Sequence, residues 1–131
     1  MEFSWPVRIY YEDTDAGGVV YYANYFKFME RARTEWLRSL GFDQRELADG
    51  LRLAFVVTEA HAQYVRPARL NDALTVGVDV AAVRGARIRF RQEIRREDEL
   101  LCAGEIGAAC IDLDSFRPRL IPDGIRAQIE H

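Results

Sequence analysis

Three carboxylate side chains stand close together near the start of the chain, at Glu12, Asp13 and Asp15. Carboxylates crowded into one loop shift one another's pKa, so one of them can serve as a general base or a nucleophile. An acidic turn is more often simply solvated. Here the cluster runs directly into a predicted helix, whose free N–H groups and positive dipole end suit a developing oxyanion.

Other catalytic groups are scarce. The Ser-His-Asp and Cys-His sets of many hydrolases need a histidine base, and only His61 lies inside the predicted fold because His131 is the last residue. His61 falls within a predicted strand, which favours a structural role. Cys102 and Cys110 are predicted to be buried on one face of a strand, and with one histidine they do not supply a zinc site. No metal and no other cofactor are therefore predicted.

The element that must position the carboxylates is the helix that follows them. From Tyr25 onwards, apolar residues recur at spacings of three and four and form one helical stripe, namely Phe28, Met29, Ala32, Trp36, Leu37 and Leu40. Asn24 is predicted as an acceptable N-cap, although the helix could begin slightly earlier, and Gly41 is predicted as the residue that ends the helix. The polar side chains expected on its outer face are Glu30, Arg31, Thr34 and Arg38. Asp43 and Glu46 resemble a capping box for a short second helix that Gly50 would stop.

The rest of the chain is β-prone. A short strand is predicted at Val7 to Tyr11, and four longer ones at Leu53 to Tyr64, Ala73 to Val83, Arg87 to Arg96 and Leu100 to Ile111. Ile88, Phe90 and Ile94 alternate with charged residues, so one face of the sheet must be covered. The long helix is the obvious cover, which predicts an α+β fold with one helix packed on one antiparallel sheet. Only the tail from Pro122 to His131 looks loosely attached.

Composition narrows the class of protein. The chain has 131 residues, 49% of them hydrophobic, which predicts a single domain over residues 1–131. A net charge of −3 argues against general affinity for nucleic acid. No apolar run approaches the roughly 18 residues of a membrane span, and the residues from Met1 to Pro6 lack the features of a signal peptide. A cytoplasmic protein is expected.

Two segments carry a resemblance to a known family. They are YEDTDAGGVVYYANY, which runs from Tyr11 to Tyr25, and ERARTEWLR, which runs from Glu30 to Arg38. Together with YVRPARL at Tyr64 to Leu70, they resemble the hotdog-fold acyl-CoA thioesterases. The most similar branch is the one associated with the Tol-Pal envelope system, followed by the 4-hydroxybenzoyl-CoA thioesterases.

The resemblance implies a long helix wrapped by a curved antiparallel sheet, with dimers and usually tetramers whose active sites lie where two subunits meet. It implies that Asp15 is the catalytic carboxylate, either as nucleophile or as base for a water, and that Asp13 is structural. It places the N–H that polarises the thioester carbonyl at Tyr22. It further implies substrate contacts at Gly17 and Val20.

The resemblance also bears on the substrate. Arg84 and Arg87 resemble the family's contacts to the phosphates of CoA, although a charged outer strand face explains them equally well. Tyr22 matches the hydroxybenzoyl branch, whereas Ala16 and the ERARTE helix match the Tol-Pal branch. A short- to medium-chain acyl-CoA is the expected substrate, with an acyl-carrier protein as another acyl donor and a 4-hydroxybenzoyl-type aromatic thioester as the alternative.

Two rival functions stay open at this point. An apolar strand followed by Asp13-x-Asp15 imitates the aspartyl-phosphate motif of haloacid-dehalogenase-like phosphatases, but the alternating βα units of that fold are missing. A non-catalytic module could use the same fold to bind an acyl group or CoA without turnover. Asp15 argues against that second rival.

Overall fold

The computed structural model describes residues 3–130. Five strands form one sheet in the order β1-β3-β4-β5-β2, and every neighbouring pair is antiparallel. The strands are β1 (Phe3–Arg8), β2 (Leu53–Tyr64), β3 (Ala73–Arg84), β4 (Arg87–Arg96) and β5 (Glu99–Asp112). Of the four long strands predicted to form an antiparallel meander, β3, β4 and β5 do so, whereas β2 pairs with β5 at the far edge of the sheet instead of with β3.

The first strand lies earlier than predicted. β1 pairs with β3 from Phe3 opposite Val78 to Arg8 opposite Ala73, and the residues Tyr11–Asp13 form a 3-10 turn instead of continuing the strand. Pro6 interrupts the sequence pattern, but β1 is an edge strand, where a residue without an N–H is tolerated.

The long helix α1 spans Asn24–Ser39 and buries Tyr25, Phe28, Met29, Ala32 and Leu37, which confirms the predicted stripe. Gly41 has a φ of +96° just beyond its end, as expected of a left-handed terminating residue. The prediction of Asn24 as N-cap is wrong. Asn24 is already helical, and its Nδ2 donates to the carbonyl of Asp13 at 2.9 Å, so its side chain ties the helix to the preceding loop.

A short helix follows, and its start is confirmed. In α2 (Gln44–Glu46), Oδ1 of Asp43 accepts hydrogen bonds from the N–H groups of Arg45 and Glu46 at 2.9 and 3.1 Å. Its predicted stop at Gly50 is wrong, because a π-helical turn continues to Leu51. The chain reverses at Arg52, whose φ is +54°.

The sheet separates an apolar face from a charged one. Ile88, Phe90 and Ile94 of β4 are buried, whereas Arg87, Arg89 and Arg91 are exposed. The apolar face packs against α1, and irregularities in the pairing of β2, β3 and β4 bend the strands around it. This is the expected α+β hotdog fold, one long helix on a curved antiparallel sheet.

Two residues inside the sheet, Gly104 and Gln92, make close contacts with the helix. A Cβ on Gly104 of β5 would lie 2.6 Å from Cε of Met29, so a larger residue here would force the end of the Met29 side chain to move. Gln92 of β4 is 0% exposed. Its Nε2 donates to the carbonyl oxygens of Met29 and Gly77 at 3.1 and 3.3 Å, which links α1 to β3 through one side chain.

The C-terminal segment corrects another expectation. Asp123–Glu130 form the helix α3, and Ile125 and Ile129 are buried against the rest of the chain, so this part of the tail is not loosely attached. Their spacing of four residues puts both on one helical face. His131 lies outside the described residues. No helix within residues 3–130 is long and apolar enough to cross a membrane.

Candidate active site

Asp13 organises the loop between β1 and α1. Its side chain is 4% exposed, and Oδ2 accepts a hydrogen bond from the N–H of Tyr10 at 2.9 Å. Its carbonyl accepts from the N–H of Tyr21 at 3.0 Å and from Nδ2 of Asn24. These contacts fold the loop back on itself and occupy the polar groups of Asp13, which accounts for this residue in structural terms.

Asp15, by contrast, is exposed at the tip of a tight turn. Its N–H donates to the carbonyl of Val19 at 2.9 Å, and its own carbonyl accepts from the N–H of Gly18 at 3.1 Å. Oδ1 accepts from the N–H of Gly17 at 2.8 Å. Within residues 3–130, Oδ2 has no hydrogen-bond partner. The turn therefore orients the carboxylate through one oxygen and leaves the other free to react.

The start of α1 offers free donors beside this turn. The N–H groups of Tyr21 and Asn24 are bonded to carbonyls of the loop, whereas those of Tyr22 and Ala23 have no acceptor within the described part of the chain. The bridge between Thr14 and Val20 folds the segment that carries Asp15 against the segment that enters the helix. The helix dipole adds partial positive charge at this point. A carboxylate and an oxyanion site thus meet at one end of α1.

The neighbouring loop of residues 65–72 buttresses this arrangement. The N–H of Val20 donates to the carbonyl of Ala68 at 2.9 Å, and the N–H of Ala68 donates to the hydroxyl of Tyr25 at 3.0 Å. Val19 also forms a bridge with Arg69. Val20 itself is 4% exposed, so the structure places the side chain of this predicted contact residue in the core. Gly17 is at the exposed tip of the turn.

Aromatic side chains border the free N–H groups. The ring centroid of Tyr22 lies 4.8 Å from that of Tyr21 and 6.0 Å from that of Tyr64. Tyr64 also contacts Tyr25, at 5.5 Å between centroids. Burial raises the pKa of Tyr25 and of Tyr64. The hydroxyls of Tyr25 and Tyr64 therefore stay protonated at neutral pH.

A cavity of about 570 Å³ begins one turn further along α1. It lies between the helix and strands β2, β4 and β5, and its apolar lining includes Phe26, Trp36, Phe55, Ile88 and Phe90. Glu30 and Thr34, which the helical pattern assigned to an outer face, line this cavity with Lys27 and Arg33. Glu30 is exposed as predicted and Thr34 is half-buried, and both border the cleft between α1 and the edge strand β2.

Arg33 and Gln92 are residues of this site that sequence reasoning missed. Nη1 of Arg33 donates to Oε1 of Gln92 at 2.9 Å. Burial lowers the pKa of Arg33, an effect that Glu30 opposes only partly. The one available signal was the position of Arg33, directly beside Ala32 on the edge of the apolar stripe. The strand pattern of β4 gave no sign of the inward orientation of Gln92.

Arg84 and Arg87 flank the turn between β3 and β4, where Gly85 has a φ of +63°. Both arginines are exposed. Strand β3 has 12 residues and begins beside the loop of residues 65–72, which contacts the Asp15 loop, so the two arginines stand at the opposite end of a strand whose length along its path is roughly 35 Å. A single chain does not bring them together with Asp15.

The remaining candidate groups are placed away from the turn. His61 is exposed on the sheet and lines a shallow depression with Arg91, Glu93 and Glu105. Cys102 and Cys110 are free thiols buried on one strand, as expected, and burial raises the pKa of Cys102 to about 11. Within residues 3–130, no group of three or more His, Cys, Asp or Glu side chains is arranged to hold a metal ion.

Comparison with known proteins extends these observations. The model of the Thioesterase-like superfamily matches residues 10–129. The chain is 46% identical to the acyl-CoA thioesterase YbgC of Haemophilus influenzae over 129 residues, which cover 98% of this chain and 95% of that protein. It is likewise 46% identical to the acyl-CoA thioester hydrolase YbgC of Escherichia coli, covering 98% of this chain and 96% of that protein.

A solved structure agrees with the sequence relatives. The probable thioesterase from Bartonella henselae superposes with a TM-score of 0.87 at 35% sequence identity, and the superposition covers 91% of this chain and 98% of that one. The match to the family model includes the loop between β1 and α1, and the two sequence relatives cover 98% of this chain.

Proposed function

This chain belongs to the thioesterase-like superfamily and is a thioester hydrolase, and on that premise we propose that it hydrolyses acyl-CoA thioesters with Asp15 as the catalytic carboxylate. The observation that carries the proposal is the pairing of an exposed, oriented carboxylate with unbonded N–H groups at the start of α1. The names of its two YbgC relatives support acyl-CoA as the substrate class.

The mechanism follows from this pairing. The thioester carbonyl oxygen accepts a hydrogen bond from the N–H of Tyr22, and the helix dipole stabilises the negative charge that develops on it. Oδ2 of Asp15 either attacks the carbonyl carbon or removes a proton from a water that attacks it. In the first route, the C–S bond breaks to give a mixed anhydride and a thiolate that takes a proton from water, and a second water releases the acid. In the second route, the acid and the thiol form directly.

Neither route requires a metal or an organic cofactor, and we predict that the enzyme uses none. A cytoplasmic location is likewise a prediction.

The cavity beside α1 supports a short- to medium-chain acyl group. Its lining is mainly apolar, and it opens one helical turn from the N–H of Tyr22. Its aromatic side chains would also accommodate a ring, so a 4-hydroxybenzoyl-type thioester is the second candidate. CoA and an acyl-carrier protein present the same thioester, so both are acyl donors for this site.

The position of the arginines supports an oligomer. If Arg84 and Arg87 bind the phosphates of CoA, their distance from Asp15 requires the nucleotide site and the carboxylate of one active site to come from different chains. We therefore propose a dimer, or a tetramer built from dimers. The exposed side chains of Val56 and Val57 on the edge strand β2, 37% and 52% exposed, support a contact with a second copy there.

The test is thiol release, followed with a chromogenic thiol reagent, from acetyl-, butyryl-, hexanoyl-, palmitoyl- and 4-hydroxybenzoyl-CoA. Asp15→Asn is expected to lower turnover by about 10²–10⁴-fold, because the variant keeps the acceptor for the Gly17 N–H but loses the base or nucleophile. Glu12→Gln, an exposed change in the same loop, is the matched control and should retain wild-type turnover. Normal hydrolysis by Asp15→Asn would refute the mechanism. No release by well-folded wild-type protein would favour a binding module.

A further inference from the structure

The cavity beside α1 contains a charged group that the proposed reaction does not use. Arg33 lines it together with Lys27 and Glu30, whereas most of the other lining side chains are apolar. A partly buried charge on such a wall is costly unless it is hydrogen-bonded or paired. The placement of Arg33 therefore needs a physical reason beyond solubility.

A buried glutamine fixes the position of this guanidinium. Nη1 of Arg33 donates to Oε1 of Gln92, which is itself held by the carbonyl oxygens of Met29 and Gly77. The guanidinium carbon also lies 5.9 Å from the ring centroid of Phe90. Because Gln92 is 0% exposed and fully bonded, the guanidinium is held in one orientation before any ligand arrives.

Within the described residues, Arg33 makes one side-chain hydrogen bond and no ion pair. A guanidinium carries five N–H groups, and Gln92 accepts from one of its nitrogens. Among residues 3–130, no carboxylate forms an ion pair with Arg33. In the same part of the chain, no buried side-chain nitrogen lacks a hydrogen-bond partner, so any nitrogen of Arg33 without a protein partner is accessible to a ligand, and Arg33 lines the cavity.

We infer that Arg33 is a specificity-determining residue that selects acyl groups with an oxygen acceptor at their distal end, most strongly a carboxylate. The inference rests on the proposed function, which puts the thioester carbonyl at the N–H of Tyr22. Arg33 lies 11 residues further along the helix, about 16 Å along its axis. The group it binds is therefore remote from the reacting carbon. The paired N–H groups of a planar guanidinium match the two oxygens of a carboxylate. The two positive charges of Lys27 and Arg33 exceed the single negative charge of Glu30.

Matched substrate pairs test this inference. Monothioesters of CoA with α,ω-dicarboxylic acids of four to about ten carbons are compared with alkyl acyl-CoA of the same carbon number, and ω-hydroxyacyl-CoA forms a third arm. We expect wild-type kcat/KM to favour the carboxylate member of at least one pair by about tenfold or more. Arg33→Met should lower that ratio at least tenfold, mainly through KM of the carboxylate substrate. Arg31→Met, an exposed change on the same helix, should leave it unchanged.

A second variant guards against a folding defect. Arg33→Gln keeps a donor for Gln92 and removes the charge and the fork, and it should lower the same ratio. An unchanged ratio in either folded variant, or a wild-type enzyme without preference for the distal oxygen, would overturn the inference. The inference would also be overturned if light scattering showed that a variant lowers the ratio only by dissociating the oligomer. Continued Asp15-dependent hydrolysis of the alkyl member separates these results from a failure of the proposed function.

Discussion

The N–H of Ala68 donates a hydrogen bond to the hydroxyl of Tyr25 at 3.0 Å, which joins the loop of residues 65–72 to the first turn of α1. Tyr25 is 3% exposed. Tyr25→Phe leaves the buried N–H without an acceptor, so the free energy of unfolding should fall by about 1–3 kcal/mol. Urea denaturation measures this change. Tyr11→Phe, whose ring is 81% exposed, should stay within about 0.5 kcal/mol of wild type, and equal losses would contradict the assignment.

Gly104→Ala tests the close approach between β5 and α1. The new Cβ would lie 2.6 Å from Cε and 2.7 Å from Sδ of Met29, so the free energy of unfolding should fall by about 1–3 kcal/mol. Met29→Ala in the same chain should relieve part of this loss, giving a coupling in a double-mutant cycle. Gly124→Ala in α3 meets no atom within 4 Å and serves as the control, with no loss expected. Additive effects of the two core changes would refute the proposed clash.

The buried thiol of Cys102 should make stability depend on alkaline pH. Its pKa is raised by burial from 9.0 to about 11 in the folded chain. The folded state therefore keeps the proton that the unfolded state loses, and stability that is fully present below pH 9 declines as the pH rises to 11. Denaturation at pH 8, 9, 10 and 11 measures this slope. Cys102→Ala should give a shallower slope, and an identical slope would exclude Cys102 as its source.

Charge at the β3–β4 turn should affect CoA esters selectively. Replacing Arg84 and Arg87 by Gln should raise KM for acyl-CoA several-fold at low salt, and the difference should shrink as salt screens the phosphates. A small thioester that lacks the nucleotide should be hydrolysed as before. Arg91→Gln changes an exposed arginine on the same strand as Arg87 and is the control. Equal effects on both substrates would assign Arg84 and Arg87 a purely structural role.

The helix and the long strands could be predicted from local sequence patterns. The stripe of α1 follows from spacings of three and four residues, and the bounds of β2 and β4 follow from the turn-forming residues that interrupt β-prone runs. β1 was displaced because Pro6 hides an edge strand whose pairing with β3 depends on tertiary structure. α3 was missed because only Ile125 and Ile129 show its buried face, and two apolar residues make a weak pattern.

The site was predictable only in part. A loop rich in Asp and Gly before a helix indicates where Asp15 lies, but sequence cannot show that Asp13 is buried while Asp15 is exposed. That difference depends on bonds from Tyr10 and Asn24 that form only in the folded chain. Arg33 and Gln92 were out of reach for the same reason, since they meet across a separation of 59 residues.

Arg84 and Arg87 stand at the far end of β3 from Asp15, and this separation has a consequence for mixtures of two impaired variants. If each active site takes its carboxylate from one chain and its arginines from another, an Asp15→Asn chain and an Arg84, Arg87 double variant can complement each other. Their mixed dimer holds one doubly damaged site and one intact site. At low salt and low acyl-CoA concentration, the two variants refolded together should then hydrolyse CoA esters faster than the same amounts refolded separately, whereas sites built within single chains would show no gain from mixing.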